Sequence, residues 1–196
     1  MGAHAWFPTP VYIEGSNDET IQKELFEVYN KLEFSQVEGW SPHTHELNSK
    51  PFGRNILKEY ECYNFLDFLD SHIKRYLQAI GFEGQYGPNQ QQYDIRSSWF
   101  TKTKKGKYAH VHNHGSSDLS GVYYLQTNGK DGNLIFKSIH EYLQSNYIFE
   151  HTCEDIQLPV EKGLIALWPG ILNHGTQVNE TDHERISLSF NIHFRR

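Results

Sequence analysis

Apolar residues recur at helical spacing twice in the first half of the chain and at strand spacing through the second half. Ile21, Leu25, Val28 and Leu32 lie on one helical face, which predicts an amphipathic helix over about 18–34. Ser16-Asn17-Asp18-Glu19 precedes it with the spacing of a capping box. Phe65, Leu69, Ile73, Leu77 and Ile80 share one face of a second helix, about 59–80, and Gly81 stands where a C-terminal cap belongs. Residues 6–13 read as an extended edge segment, because Pro8 and Pro10 lack the N–H that a central strand donates. Residues 36–57, with scattered Pro, Gly and Ser, read as loop.

After Gly87 the period shortens to two. Strands are predicted near 91–102, 119–127, 133–137, 147–151, 155–160, 163–168 and 185–194. Asn128-Gly129-Lys130-Asp131-Gly132 predicts a hairpin between the second and third of these, and Lys104-Lys105-Gly106 predicts a turn. Helices and strands do not alternate, which argues against a doubly wound fold. The last strand alternates Arg185, Ser187, Ser189, Asn191 and His193 with Ile186, Leu188, Phe190, Ile192 and Phe194. Two readings compete for its polar face: exposure to water, or the lining of a barrel interior whose helices cover the apolar face.

Composition narrows the function classes. At 196 residues the chain can form one domain with a sizeable core, helical over about 1–87 and β-rich over about 91–196. A net charge of −6 disfavours a general nucleic-acid surface. Lys102, Lys104, Lys105 and Lys107 read as a solvated hairpin turn. Two cysteines, Cys62 and Cys153, make no disulfide framework, so a reducing cytoplasm is expected. No signal peptide or membrane-length apolar run is read in the sequence. The glycines at 81, 84 and 87 lie in a Gln-rich loop and do not read as a phosphate cradle.

The candidate chemistry lies in 110–125, HVHNHGSSDLSGVYYL. His110, His112 and His114 alternate, so on a strand they share a face. Imidazoles make a poor core, because their nitrogens need partners, but they bind metals well. His174, in WPGILNHGTQ, is placed to add a ligand from a distant strand. A facial redox-iron site needs two histidines and usually a carboxylate, with open positions left for co-substrate and oxygen. His114 is the expected third ligand; Asp118, four residues on in the loop, is the rival that can fold back to supply the carboxylate, two protein ligands plus water is a further option, and a frame shift making His110 and His112 the pair stays open. Arg185 follows, and a guanidinium suits a carboxylate because it is planar, permanently charged and bidentate.

Trp99, His112, His114, Ser120-Gly121-Val122-Tyr123-Tyr124-Leu125, Trp168-Pro169, His174 and Arg185-Ile186-Ser187 stand in an order that resembles the Fe(II)/2-oxoglutarate-dependent oxygenases. The nearest likeness is to a small branch carrying H-x-H followed by SGVYYL, which the start WFPTPVY also resembles. The resemblance covers about 91–195 and implies a mainly β fold, a double-stranded β-helix of jelly-roll, cupin-like type with flanking helices. It implies Fe(II) held by His112 and His174, with His114, or alternatively Asp118, as third ligand. It implies that Arg185, Tyr124, Ser187 and Asn191 serve 2-oxoglutarate, with Arg185 clamping its distal carboxylate. The implied reaction is a dioxygenase reaction with O2, hydroxylating an unidentified substrate while 2-oxoglutarate is decarboxylated to succinate.

Two other functions remain open at this stage. One is a cupin-like three-histidine metalloenzyme without 2-oxoglutarate, which has no need of a cation at Arg185. The other is a non-catalytic jelly-roll binding protein. His43-Thr44-His45 repeats the H-x-H spacing in a loop and reads only weakly as a metal or substrate contact.

Overall fold

The computed structural model describes residues 8–48, 52–82, 93–140 and 154–195. The strand expected near 147–151, the start of the 6–13 segment, the Gln-rich loop with Gly84 and Gly87, and Cys153 lie outside these residues. Strand β1 (Tyr12–Gly15) precedes helix α1 (Glu19–Tyr29). Short strands β2 (Phe34–Ser35) and β3 (Glu46–Asn48) lead to helices α2 (Ile56–Glu59) and α3 (Tyr63–Ala79). Seven strands follow: β4 (Tyr93–Thr103), β5 (Leu119–Gln126), β6 (Leu134–Phe136), β7 (Ile156–Leu158), β8 (Leu164–Pro169), β9 (His174–Thr176) and β10 (Arg185–Phe194).

Local chemistry sets the helix ends, and it differs from expectation in three places. The N-cap of α1 is Asp18, not Ser16; its carboxylate accepts the N–H groups of Thr20 and Ile21. The helix stops at Tyr29 rather than near 34, because Phe34–Ser35 pairs with Leu47 and Asn48. The second helix is split. Glu61, the single non-glycine residue with positive φ among those described, ends α2 as Cys62 donates back to the Leu57 carbonyl. Gly81 caps α3 as expected, with φ +73 and with Phe82 donating to the Leu77 carbonyl.

The strands form two antiparallel sheets, ordered β1-β8-β5-β10-β4-β3-β2 and β7-β6-β9, which is the mainly β, double-stranded β-helix arrangement. β1 is an edge strand, as its prolines require. The hairpin predicted around Asn128–Gly132 does not form: β5 pairs with β8 and β10, while β6 pairs with β7 and β9. The Asn-Gly turn instead carries the chain from one sheet to the other. The lysine turn also joins no hairpin, because β4 pairs with β10 and β3. Its lysines are paired rather than merely solvated, Lys104 with Glu46 and Lys105 with Asp182.

Both faces of the large sheet are covered, so β5 is buried along almost its whole length. Tyr123, Leu125, Leu188, Phe190 and Ile192 meet Leu25, Phe65, Leu69 and Ile73 of the helices. Val122 and Tyr124 face the other way, toward Leu134, Phe136 and Trp168. The polar face of β10 therefore lines the interior between the sheets. Cys62 is a buried free thiol whose pKa burial raises to about 12. Among the described residues, no helix is long and apolar enough to cross a membrane.

Candidate metal centre and co-substrate pocket

The interior between the sheets holds a cavity of about 350 Å³. Its histidines come from two segments that are hydrogen-bonded to each other. His112 donates its backbone N–H to the His174 carbonyl at 2.9 Å, and His174 donates back to the His112 carbonyl at 2.8 Å. His114 donates its backbone N–H to the Gly170 carbonyl at 2.7 Å. Each of the three side chains offers a ligand atom within 4.8 Å of the other two.

Hydrogen bonds orient two of these rings. His112 Nδ1 lies 2.7 Å from the His110 carbonyl. A carbonyl can only accept, so Nδ1 carries the proton and Nε2 keeps its lone pair. His174 Nδ1 lies 2.8 Å from the Leu172 carbonyl and 3.2 Å from the Trp168 indole nitrogen. One nitrogen cannot donate and accept at once. The nearer carbonyl decides it: Nδ1 is protonated and Nε2 is again free. Burial, and then mutual repulsion, lowers the His114 pKa to about 4; the same causes lower His174 to about 3. Burial also lowers His112. All three are therefore neutral at neutral pH and together form a donor set that could hold a first-row divalent metal such as iron.

Asp118 does not join them. Its Oδ2 accepts the Phe194 N–H at 2.8 Å, and its backbone pairs with Ile192 and Gly170. His110 also stands outside the group of three, its carbonyl orienting His112 and its ring packed edge-on to Trp40 at 5.1 Å.

Arg185 opens β10 inside the cavity and is 2% exposed. Its Nη1 donates to the carbonyls of Asp131 and Gly132 at 2.7 and 2.6 Å, and its Nη2 to Thr176 Oγ1 at 2.9 Å. A guanidinium has five N–H donors. Two thus remain without an acceptor among the described residues, and no carboxylate forms an ion pair with this buried cation there. Gly132 makes the arrangement possible: it sits at φ +100, and a Cβ there would come within 2.6 Å of the Gln177 carbonyl. Asp131, fully buried, holds the turn by accepting from Thr127 Oγ1 and from the Asn128 N–H.

The other expected residues lie around this cation. Ser187 and Tyr124 are cross-strand partners. Tyr124 is buried, its pKa raised to about 12 by burial, and its hydroxyl has no hydrogen-bond partner among the described residues. Ser187 Oγ lies 2.5 Å from Thr101 Oγ1. Asn191 is already engaged, accepting from Ser120 Oγ and donating to Ser97 Oγ. Sequence reasoning missed Thr176, Asp131 and Gly132 as the Arg185 cradle. The Asn-Gly turn was visible, but nothing local said what it wraps around.

Residues 97–191 match the model of a family described as "Putative 2OG-Fe(II) oxygenase". Solved structures with the same fold include a 2OG-Fe(II) oxygenase family oxidoreductase from Burkholderia pseudomallei, 14% identical, with a TM-score of 0.65 over 93% of this chain and 84% of that one. A prolyl-4-hydroxylase from Pseudomonas putida is 14% identical, with a TM-score of 0.59 over 96% and 94%. HygX from Streptomyces hygroscopicus, with nickel, 2-oxoglutarate and hygromycin B bound, is 13% identical, with a TM-score of 0.61 over 94% and 83%. No curated protein sequence matches the chain. The segment that matches this family model, residues 97–191, is the one that carries the histidine group and most of the double-stranded β-helix.

Proposed function

We propose that the chain is a single-domain Fe(II)- and 2-oxoglutarate-dependent dioxygenase that hydroxylates its substrate. The observation that carries this reading is the pairing of a neutral three-histidine group with an unpaired buried guanidinium in one cavity. His112, His114 and His174 are the proposed iron ligands. When bound, iron and 2-oxoglutarate supply oxidative chemistry in which the co-substrate is decarboxylated to succinate and one oxygen atom of O2 enters the substrate.

The protein's own contribution is geometric and electrostatic. The His110 and Leu172 carbonyls fix the tautomers that aim two lone pairs at the metal. Arg185 binds the distal carboxylate of 2-oxoglutarate through its two remaining donors, and Tyr124 donates its hydroxyl to the same group. Burial raises the Tyr124 pKa, so the hydroxyl stays a donor at neutral pH. Ser187 flanks the site, while Asn191 braces β10 against β4 and β5. With three neutral imidazoles, His112, His114 and His174 would hold the metal without adding negative charge, leaving an anionic co-substrate to supply it.

The cupin-like alternative leaves Arg185 unexplained. A buried cation without a counter-ion costs stability unless an anion visits it. Titration of 2-oxoglutarate into Ni(II)-loaded protein tests the reading, with saturable binding expected and weaker binding in Arg185→Lys. Ni(II) binding with no response to 2-oxoglutarate would favour the alternative. Analysis of succinate formed per 2-oxoglutarate consumed tests the reaction itself.

A further inference from the structure

The co-substrate reading uses the inner end of the cavity and leaves its other end without a role. That end is built by a strap from the segment between β2 and α2. Thr44 bridges Tyr108 in parallel: His45 donates its backbone N–H to the Tyr108 carbonyl, and Tyr108 donates to the His43 carbonyl, each at 3.1 Å. Thr44 Oγ1 closes the turn by donating to the Ser41 carbonyl at 2.8 Å. The strap is thereby fixed beside the approach to the histidine row.

Three of its side chains line the cavity. The Trp40 ring meets His110 at 5.1 Å, His45 at 6.1 Å and Phe52 at 6.3 Å, all edge-to-face. Phe52 is 70% exposed, a large apolar ring at the open end. His45 is only 6% exposed. Its ring lines the cavity beside the Tyr108 carbonyl and makes no side-chain hydrogen bond to another described residue. A ring nitrogen that reaches the cavity with no protein partner is open to a ligand. Arg185 and the neighbouring histidines add to burial in keeping the ring neutral, with a pKa of about 4, so the free nitrogen accepts. Among the described residues, no carboxylate and no lysine lines this cavity, and Arg185 at its inner end is the one formal charge.

We infer that Trp40, His45 and Phe52 form the primary-substrate subsite, which takes an uncharged, ring-bearing molecule that donates a hydroxyl or N–H hydrogen to His45. The aromatic rims hold the ring, His45 fixes its rotation, and the lack of a counter-charge excludes cations. The inference rests on the proposed function in one respect: it assigns Arg185 to the co-substrate.

The test uses the metal-free full chain and three probes, phenol, anisole and benzylammonium, titrated by NMR. Phenol is expected to bind about three- to tenfold tighter than anisole, the factor for one hydrogen bond, and benzylammonium weakest. His45→Leu should erase the phenol preference while anisole still binds; His45→Gln, which keeps an acceptor and guards against misfolding of the leucine variant, should retain part of it. Trp40→Ala should weaken phenol and anisole alike. Equal binding of phenol and anisole to the wild type, a preference that survives in a folded His45→Leu, or tight benzylammonium binding would overturn the assignment. None of these readouts requires iron or 2-oxoglutarate, so failure here and failure of the cofactor reading are separable.

Discussion

His112 and His174 exchange backbone hydrogen bonds in both directions, at 2.9 and 2.8 Å. The proposed metal site is thus a strand-pairing event: the same contact that joins two distant segments sets their imidazoles 4.5 Å apart. Gly175, next in β9, permits the close approach, since a Cβ there would lie 2.9 Å from the Ala109 carbonyl oxygen. Gly175→Ala should push the segments apart. The expected result is about tenfold weaker divalent metal binding, as a strain of ~1–2 kcal/mol would give, with the far-UV circular dichroism unchanged.

Arg185 is held by main-chain carbonyls rather than by a carboxylate ion pair, so shape matters as well as charge. Arg185→Lys keeps the charge but not the planar fork. It should weaken 2-oxoglutarate binding by about tenfold or more, the loss expected when a bidentate contact becomes single. Metal affinity measured without 2-oxoglutarate should stay at the wild-type value.

Asp131 acts on the same cation indirectly. Its carboxylate gathers Thr127, Asn128 and His183 and so presents the two carbonyls that Arg185 needs. Asp131→Asn places an amide N–H group where an acceptor is required, costing about 1–3 kcal/mol of stability. Urea unfolding should show that loss, and 2-oxoglutarate titration should show weaker binding in the fraction that remains folded.

The metal-free protein should lose stability as pH falls from neutrality. His45, His114 and His174 have folded pKa values of about 4, 4 and 3, below the ordinary 6.5. Between about pH 6.5 and 3 the unfolded chain binds protons that the folded chain does not, so stability falls with falling pH across that window. Below it the effect of these rings levels off. Urea midpoints at pH 7, 6 and 5 check this; midpoints that rise toward pH 5 would contradict it.

Much of this was legible in the sequence, and the parts that were not share a physical cause. Helical periodicity identified α1 and α3 because their apolar faces are long enough to repeat. The alternation of β10 announced two faces, and only the packing of Phe190 and Leu188 against the helices settled which is inside. The Asn128–Gly132 turn misled because a turn signal is local, whereas the choice of strand partner is not. β2, β3 and β9 are too short to show a period. Asp118 looked available by spacing alone; its carboxylate is committed to the Phe194 N–H, a contact fixed by the end of a strand far along the chain.

The central claim is that His112, His114 and His174 hold iron beside a co-substrate anchored by Arg185. Its most direct test is an anaerobic visible spectrum of the Fe(II)-loaded protein before and after 2-oxoglutarate is added. The account predicts a new charge-transfer band on addition, absent in His174→Ala and weakened in Arg185→Ala. Iron binding with an unchanged spectrum, or a band that survives in His174→Ala, would contradict it.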